Sequence, residues 1–352
     1  MNRCKSKEKE YLYCLCQIPG MGAVTIKKLW KQYGSFETIY NIEGNELSKK
    51  KLNADLEEYH NLEKRGIQFI SILDDSYPKR LREIYGNPMG LYVKGKLPEE
   101  DKPAVAIIGA RNCSNYGKQV AEYMGSALSR EGIRIISGLA LGIDGAGHRG
   151  ALREEQATYA VLGCGVNICY PKENYSLYEA MVERGGIISE CRLSEAPISK
   201  NFPMRNRIIS GMADVILVIE ARERSGSLIT VEYALEQGKE VYAVPGQITD
   251  QLSKGCNHLI QSGANILTSP QDILEYFEIK NEKMLTVHEK NGNTLVKKEK
   301  MLYSCLDFQP KFIEQIVKES GLTVGECMTI LLELELGGYI VQTASQYYGK
   351  KL

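Results

Sequence analysis

An α/β fold organised on a doubly wound parallel sheet is what this 352-residue sequence predicts, and three observations carry the prediction. Between Pro103 and about Pro270, short apolar runs rich in Val and Ile are continuous rather than alternating, as strands buried on both faces require. Each run stops at glycine or a polar loop. Helical patterns follow the runs, the clearest from about Tyr116 to Arg130, where Val120, Met124 and Leu128 recur at i, i+4 and i+8. Strands alternating with helices at this spacing give a Rossmann-like sheet with helices on both faces.

The elements follow in order. Residues 1–65 read as a helical domain whose sharp feature is Ile18-Pro-Gly-Met-Gly-Ala, followed by Ile26, Leu29 and Trp30 at helical spacing. This resembles a helix-hairpin-helix, in which a glycine turn lets backbone N–H groups approach a phosphate, with Lys27 and Lys28 adding charge. The competing reading is a tight turn in a packing module, so the domain is at most an accessory DNA contact. The sheet domain spans 66–278. It opens with two strand-like pieces around proline and glycine turns and continues with strands at 104–108, 133–136, 158–162, 187–188, 214–219, 240–244 and 265–267. Residues 279–300 are charged without a core pattern and read as a linker. The last domain, 301–352, has helices at about 298–306, 311–320 and 323–336 and a closing strand pair, the order of a winged helix. Within its third helix, Val324, Cys327, Ile330, Leu331 and Leu334 form the expected packing stripe, leaving Glu326, Thr329, Glu333 and Glu335 outward. Carboxylates on that face oppose a row of phosphates, so the tail is expected to contact protein rather than duplex.

Composition is that of a globular chain, 43% hydrophobic and 25% charged, enough to bury a core. Lys plus Arg equals Asp plus Glu at 44 each, so an anion site has to be assembled locally by folding. Ten cysteines show neither CxxC pairs nor histidine at zinc spacing, and the charged start MNRCKSKEKE lacks an apolar leader segment. They read as reduced thiols in a cytoplasmic protein. No apolar run reaches the ~18 residues of a membrane span.

Chemistry concentrates at the strand ends. The dinucleotide fingerprint G-x-G-x-x-G is absent, because Gly109 is followed by Ala-Arg-Asn. What the ends share is positive charge and glycine backbone: Arg111 after the first strand of the parallel unit, Gly138 and the glycines to Gly147, Lys172, Arg205, Arg207 and Arg224. Ser225-Gly226-Ser227 opens a helix whose first N–H groups and serine hydroxyls form an anion cradle. In open parallel sheets ligands sit at the carboxyl ends of strands, so these residues should face one site built for phosphates. Tyr175, three residues after Lys172, is either core packing or a stacking platform for a base. Structural readings stand beside these: Arg205 and Arg207 pairing with Glu190 or Glu220, His148 as a buried satisfied histidine, and Asp144 as a helix cap. No catalytic residue, metal or cofactor is expected.

VAIIGAR, SGLALGIDGAGH, VLGCGVNICYP, FPMRNRIISG, EARERSGSLIT, VPGQ and GCNHLIQSGA, ordered along residues 70–275, resemble the DprA family of DNA-processing proteins, also called Smf. The helical front and winged-helix tail also resemble that family's flanking modules. The resemblance implies a single-stranded DNA binding protein that protects incoming strands and helps load the RecA recombinase in natural transformation. It places DNA-binding roles on Arg111, Lys172, Tyr175, Arg205 and Arg207, and implies a homodimer through the late part of the sheet domain, around His258 to Ile266. Ala110 departs from the serine of many members, and Gly145 to Gly147 from a bulkier pattern, which is expected to loosen that turn. A second reading is a phosphoribohydrolase-like enzyme on nucleotides. That class uses a PGGxGT turn with a glutamate behind it, whereas this chain has SGSLITVE with Glu232.

Overall fold

The computed structural model describes residues 2–42, 55–279, 297–308 and 310–350. Its centre is a nine-stranded sheet in the order β1-β2-β6-β5-β4-β3-β7-β8-β9. In chain order these are β1 (Ile67–Ser71), β2 (Gly90–Gly95), β3 (Ala104–Ile108), β4 (Arg134–Ser137), β5 (Thr158–Leu162), β6 (Gly186–Ser189), β7 (Val215–Val218), β8 (Glu240–Ala243) and β9 (Asn265–Ile266). From β6 to β9 every pairing is parallel. The expected seven-strand parallel unit is therefore present, and the lead-in pieces extend it as an antiparallel pair, β2 running against β6.

The continuous apolar runs have the expected cause. In β3 all five residues are buried, Ala104, Ala106 and Ile108 entering the core on one face and Val105 and Ile107 the core on the other. Connections proceed outward from β3 through β4, β5 and β6, then return across β3 to β7 and proceed the other way. That reversal, between the neighbouring strands β3 and β7, is a topological switch point, where loops part and leave a crevice at the carboxyl ends of the strands.

Close helix packing fixes the two layers behind this edge. The helices Asn115–Arg130 and Ile143–Arg153 meet through glycines: a Cβ on Gly150 would lie 2.1 Å from the Glu122 carbonyl oxygen, and one on Gly125 would lie 2.3 Å from that of Gly147. The glycines after Gly142 are thus packing residues inside a helix, with Gly147 against Ile107. This corrects two expectations, that they hold the backbone open to a ligand and that Gly145 to Gly147 loosen the turn. His148, on the same helix, is fully buried; its Nδ1 meets Thr158 Oγ1 at 2.7 Å while Nε2 has no partner. Burial drives its pKa down to about 3, so it is a neutral core residue.

The helical front includes Asn2–Cys16, Ala23–Tyr33 and Phe36–Ile42, with the glycine turn between the first two. Its core is continuous with the sheet domain: Tyr13 meets Phe69 edge-on at 5.0 Å, and Gln17 Nε2 donates to the Tyr92 hydroxyl at 2.5 Å. Residues 43–54 of this expected domain and 280–296 of the expected linker lie outside the described residues. Residues 297–300 already belong to a helix, Lys297–Ser304.

The tail has the winged-helix order, with helices Lys297–Ser304, Ile313–Ser320 and Val324–Leu336 against a three-stranded sheet. Its outer strands are β10 (Lys311–Phe312) and β11 (Ile340–Ala344), its central one β12 (Tyr347–Lys350). Thr323 caps the third helix in a capping box with Glu326. Cys327, Ile330, Leu331 and Leu334 are buried as expected, but Val324 is not, standing 59% exposed on the outer face. Cap geometry puts Val324 in the first turn, beyond the edge of the domain core.

Candidate nucleic-acid interface

The loop after β3 is fixed before it presents anything. Ala110 donates its N–H to the Glu220 carbonyl at 2.7 Å, and the Glu220 carboxylate receives the Ser114 N–H at 2.8 Å and its hydroxyl as well. Ser114 in turn caps the helix Asn115–Arg130. Gly109 is required here, since a Cβ would lie 2.7 Å from Ile143 and 2.8 Å from the Glu220 carbonyl oxygen. Between these anchors Arg111 is exposed, its guanidinium 5.2 Å above the Phe202 ring.

The loop after β5 is pinned in the same manner. Asn174 is buried and donates to the carbonyls of Leu139 and Ala140, at 2.9 and 3.2 Å, tying this loop to the one after β4. Around that anchor Lys172 is exposed, and Tyr175 is 58% exposed, its ring parallel to that of Tyr178 at 6.3 Å. Tyr170 and Phe202 escaped the sequence reading. Tyr170 is 41% exposed and stacks on Phe202 at 5.8 Å, so Arg111, Phe202 and Tyr170 form a continuous ladder joining the β3 loop to the Lys172 loop. The signal was present as YP and FP flanking the basic residues, but only the fold shows that the two rings meet.

Arg205 and Arg207 are placed differently from the surface contacts expected of them. They are 7% and 8% exposed on the helix Asn201–Met212. Arg205 donates to the carbonyls of Gly138 (2.9 Å) and Val161, bracing the ends of β4 and β5 from beneath. Burial pulls its pKa down to about 10, partly offset by Asp144 and reinforced by Arg111 nearby. Arg207 donates to the Gly86 carbonyl and pairs with Glu190 at 2.6 Å, which is the ion-pair reading its sequence context allowed. At Gly138 a Cβ would lie 2.6 Å from the Arg205 guanidinium and 2.7 Å from Asp144 Oδ2, so a glycine is needed where these side chains pack against the end of β4. Asp144 is no N-cap, a position held by Gly142 at φ 75°; it accepts the Gly138 N–H at 3.1 Å. Burial raises its pKa against the pull of Arg205.

The turn after β7 completes the edge. Ser225 caps the helix Gly226–Glu236, accepting the Ser227 N–H at 3.4 Å, and its hydroxyl meets that of Ser227 at 2.7 Å. Nothing stands within 4 Å of a Cβ position on Gly226, which leaves this backbone approachable. Asn206 donates to the Gly226 carbonyl at 3.4 Å, linking the turn to the arginine helix. Loops after β3, β4, β5 and β7 therefore share one edge at the switch point, with Arg111, Lys172, Tyr170, Tyr175 and the serine turn reaching its surface. A separate cleft of about 970 Å³ runs between the Ile18–Val24 turn and residues 190–208, with Arg205 and Arg207 in its wall.

Among the described residues no cluster of three or more His, Cys, Asp or Glu has metal-binding geometry, and no helix is long and apolar enough to cross a membrane. Cys164 and Cys191 are free thiols, raised by burial to about 11 and 12.

Comparison with known proteins gives the same segment. Residues 68–278 match the family model of DNA recombination-mediator protein A, and 289–346 match the DprA winged helix domain. DNA processing protein DprA of Streptococcus pneumoniae is 47% identical over 208 residues, covering 59% of this chain and 73% of that protein. Protein Smf of Escherichia coli is 35% identical over 292 residues, covering 81% of this chain and 78% of its own length. The crystal structure of the Streptococcus pneumoniae protein superposes with a TM-score of 0.65 at 37% identity, over 76% of this chain and 97% of that one. A DNA processing protein A structure from Helicobacter pylori, described for its single-stranded DNA binding mode, gives 0.55 at 28% identity, over 60% of this chain and 96% of that one. With the family model matching most of the chain and its winged-helix companion behind it, this chain belongs to the DprA/Smf family of DNA-processing proteins.

Proposed function

We propose that this protein binds single-stranded DNA along the carboxyl edge of its sheet and acts, without catalysis of its own, as a recombination mediator in the cytoplasm. The observation that carries the reading is the exposed set Arg111, Lys172 and Tyr175 on loops anchored by buried Glu220 and Asn174. Fixed cations take phosphates with little ordering cost, and an exposed ring accepts any unpaired base. The Ser225-Gly226-Ser227 turn adds an approachable glycine backbone at a helix start, with the Ser227 N–H held by the Ser225 hydroxyl. Arg205, with Gly138, serves the same surface from below by holding the ends of β4 and β5, while Arg207 ties its helix to Gly86 and Glu190. In this reading the protein shields incoming strands in natural transformation and helps load the RecA recombinase onto them.

We further propose a homodimer through the late part of the sheet domain, around His258 to Ile266. Ile266 is 52% exposed on β9, a two-residue strand at the open edge of the sheet. Two linked sites raise the effective concentration on one long strand. For the phosphoribohydrolase alternative, Glu232 is exposed on its helix behind a Ser-Gly-Ser turn, and release of free base from a nucleotide is the measurement that would favour it.

The deciding experiment is a titration of a single strand against duplex of equal length at fixed salt. A clear preference for the single strand is expected; equal affinity, or none for either, overturns the reading.

A further inference from the structure

The third helix of the tail carries two apolar stripes, and the domain uses one. Cys327, Ile330, Leu331 and Leu334 are buried. Val324, Met328, Leu332 and Leu336, spaced four apart along the opposite side, are 59%, 44%, 57% and 81% exposed. Residues four apart stand one above another on a helix, so the four form a continuous ridge of roughly 18 Å. Scattered single exposed leucines are ordinary; a full-length apolar ridge on the element that enters the groove in DNA-reading winged helices marks a contact surface.

Charge decides what fits it. Glu326, Glu333 and Glu335 are the only ionisable side chains on the helix apart from the buried Cys327, and none of them is basic. Glu326 is paired with Lys298 at 2.9 Å and Glu335 accepts the Gln342 N–H at 3.1 Å, whereas Glu333 is exposed beside Leu332 and Leu336. Glu333 and Glu335 lie in the last turn, where the helix dipole is already negative and the helix supplies no basic side chain. A duplex, an anionic lipid surface or the same helix of a second copy would each bring more negative charge to that end. A cationic partner relieves it.

We propose that the ridge Val324-Met328-Leu332-Leu336 is the docking face for a basic amphipathic helix of a different protein, its apolar side on the ridge and its Lys or Arg at the Glu333 end. Helix-on-helix docking reads such i, i+4 anchors, and the acidic end fixes the direction of the incoming helix.

The test uses the full chain and a fluorescent amphipathic peptide with a leucine face flanked by lysines, alongside a twin with glutamates in place of the lysines. Binding of the lysine peptide only is expected by anisotropy. Leu332→Ser and Leu336→Ser should each weaken it about tenfold, the loss of one buried leucine contact, at an unchanged melting temperature because both side chains are exposed. Glu333→Lys should weaken the lysine peptide and admit the glutamate twin. Single-strand affinity should stay at its starting value in all three variants, which separates this surface from the strand-binding edge. Binding of neither peptide at high micromolar concentration, equal binding of both, or indifference to the serine changes overturns the proposal. Loss of self-association in the serine variants overturns it in favour of a second copy.

Discussion

At the scale of residues, exposure separates two kinds of basic group. Arg111 and Lys172 are exposed, so Arg111→Glu and Lys172→Glu should weaken single-strand binding while leaving the fold intact. Each lost phosphate contact should lower the magnitude of the salt slope of log K by about 0.7. Tyr175→Ala should cost about 1–3 kcal/mol of binding at an unchanged slope, as loss of stacking does. Unaltered affinity and slope across the three variants would remove them from the interface. Arg205→Glu is expected to behave otherwise. Its guanidinium meets the Gly138 and Val161 carbonyls, so losing it strands buried acceptors and denaturant unfolding should register the damage directly. His148 adds a pH dependence. Its folded pKa is near 3 against about 6.5 unfolded, so below pH 6.5 the unfolded chain takes up a proton that the native one refuses. Stability should therefore fall as pH drops from 6.5 toward 3, with a limiting slope of about 1.4 kcal/mol per pH unit. His148→Gln should flatten the limb between pH 6.5 and 5, above the carboxylates; an unchanged limb in chemical denaturation would contradict the assignment.

Among elements, the pair of helices joined by glycines sets how firmly the edge is held. Gly150→Ala places a methyl 2.1 Å from the Glu122 carbonyl oxygen, backbone that cannot step aside cheaply. Forcing the helices apart should cost about 1–3 kcal/mol in urea unfolding. Gly226→Ala, with nothing within 4 Å, is the matched control and should be close to neutral for the fold. Unchanged or raised stability in Gly150→Ala, the result alanine's higher helix propensity would give by itself, would mean that close approach does not govern this glycine.

The whole molecule combines one strand-binding edge with a tail of opposite electrostatic character. Removing residues 281–352 should leave single-strand affinity nearly intact, and the full chain should gain no salt-sensitive duplex binding from its tail. A large loss on truncation, measured by gel shift, would place part of the interface in the winged helix. Sedimentation at micromolar concentration should return a dimer, and Ile266→Glu should shift it to monomer with weaker binding to long strands. A monomer that still binds long strands tightly would rule out the linked-site scheme.

What the sequence by itself determined was the alternation of strands and helices, the winged-helix order of the tail, and the candidate strand-end residues. These depend on local composition: continuous apolar runs, glycine stops and caps such as Ser114, Ser225 and Thr323 act within a few residues. Tertiary structure alone decided which strand-end groups reach solvent. Arg111 and Arg205 are equally basic in sequence, yet one is exposed and the other lies under the strand ends, because the helix Asn201–Met212 packs inward there. The ladder from Arg111 through Phe202 to Tyr170 joins residues distant in the chain, so the YP and FP dipeptides do not by themselves show that the two rings meet. Val324 shows the same limit, since its place in the helical period cannot reveal that the core ends before the first turn. Burial is set by what packs across from a residue, and that partner is chosen by the fold.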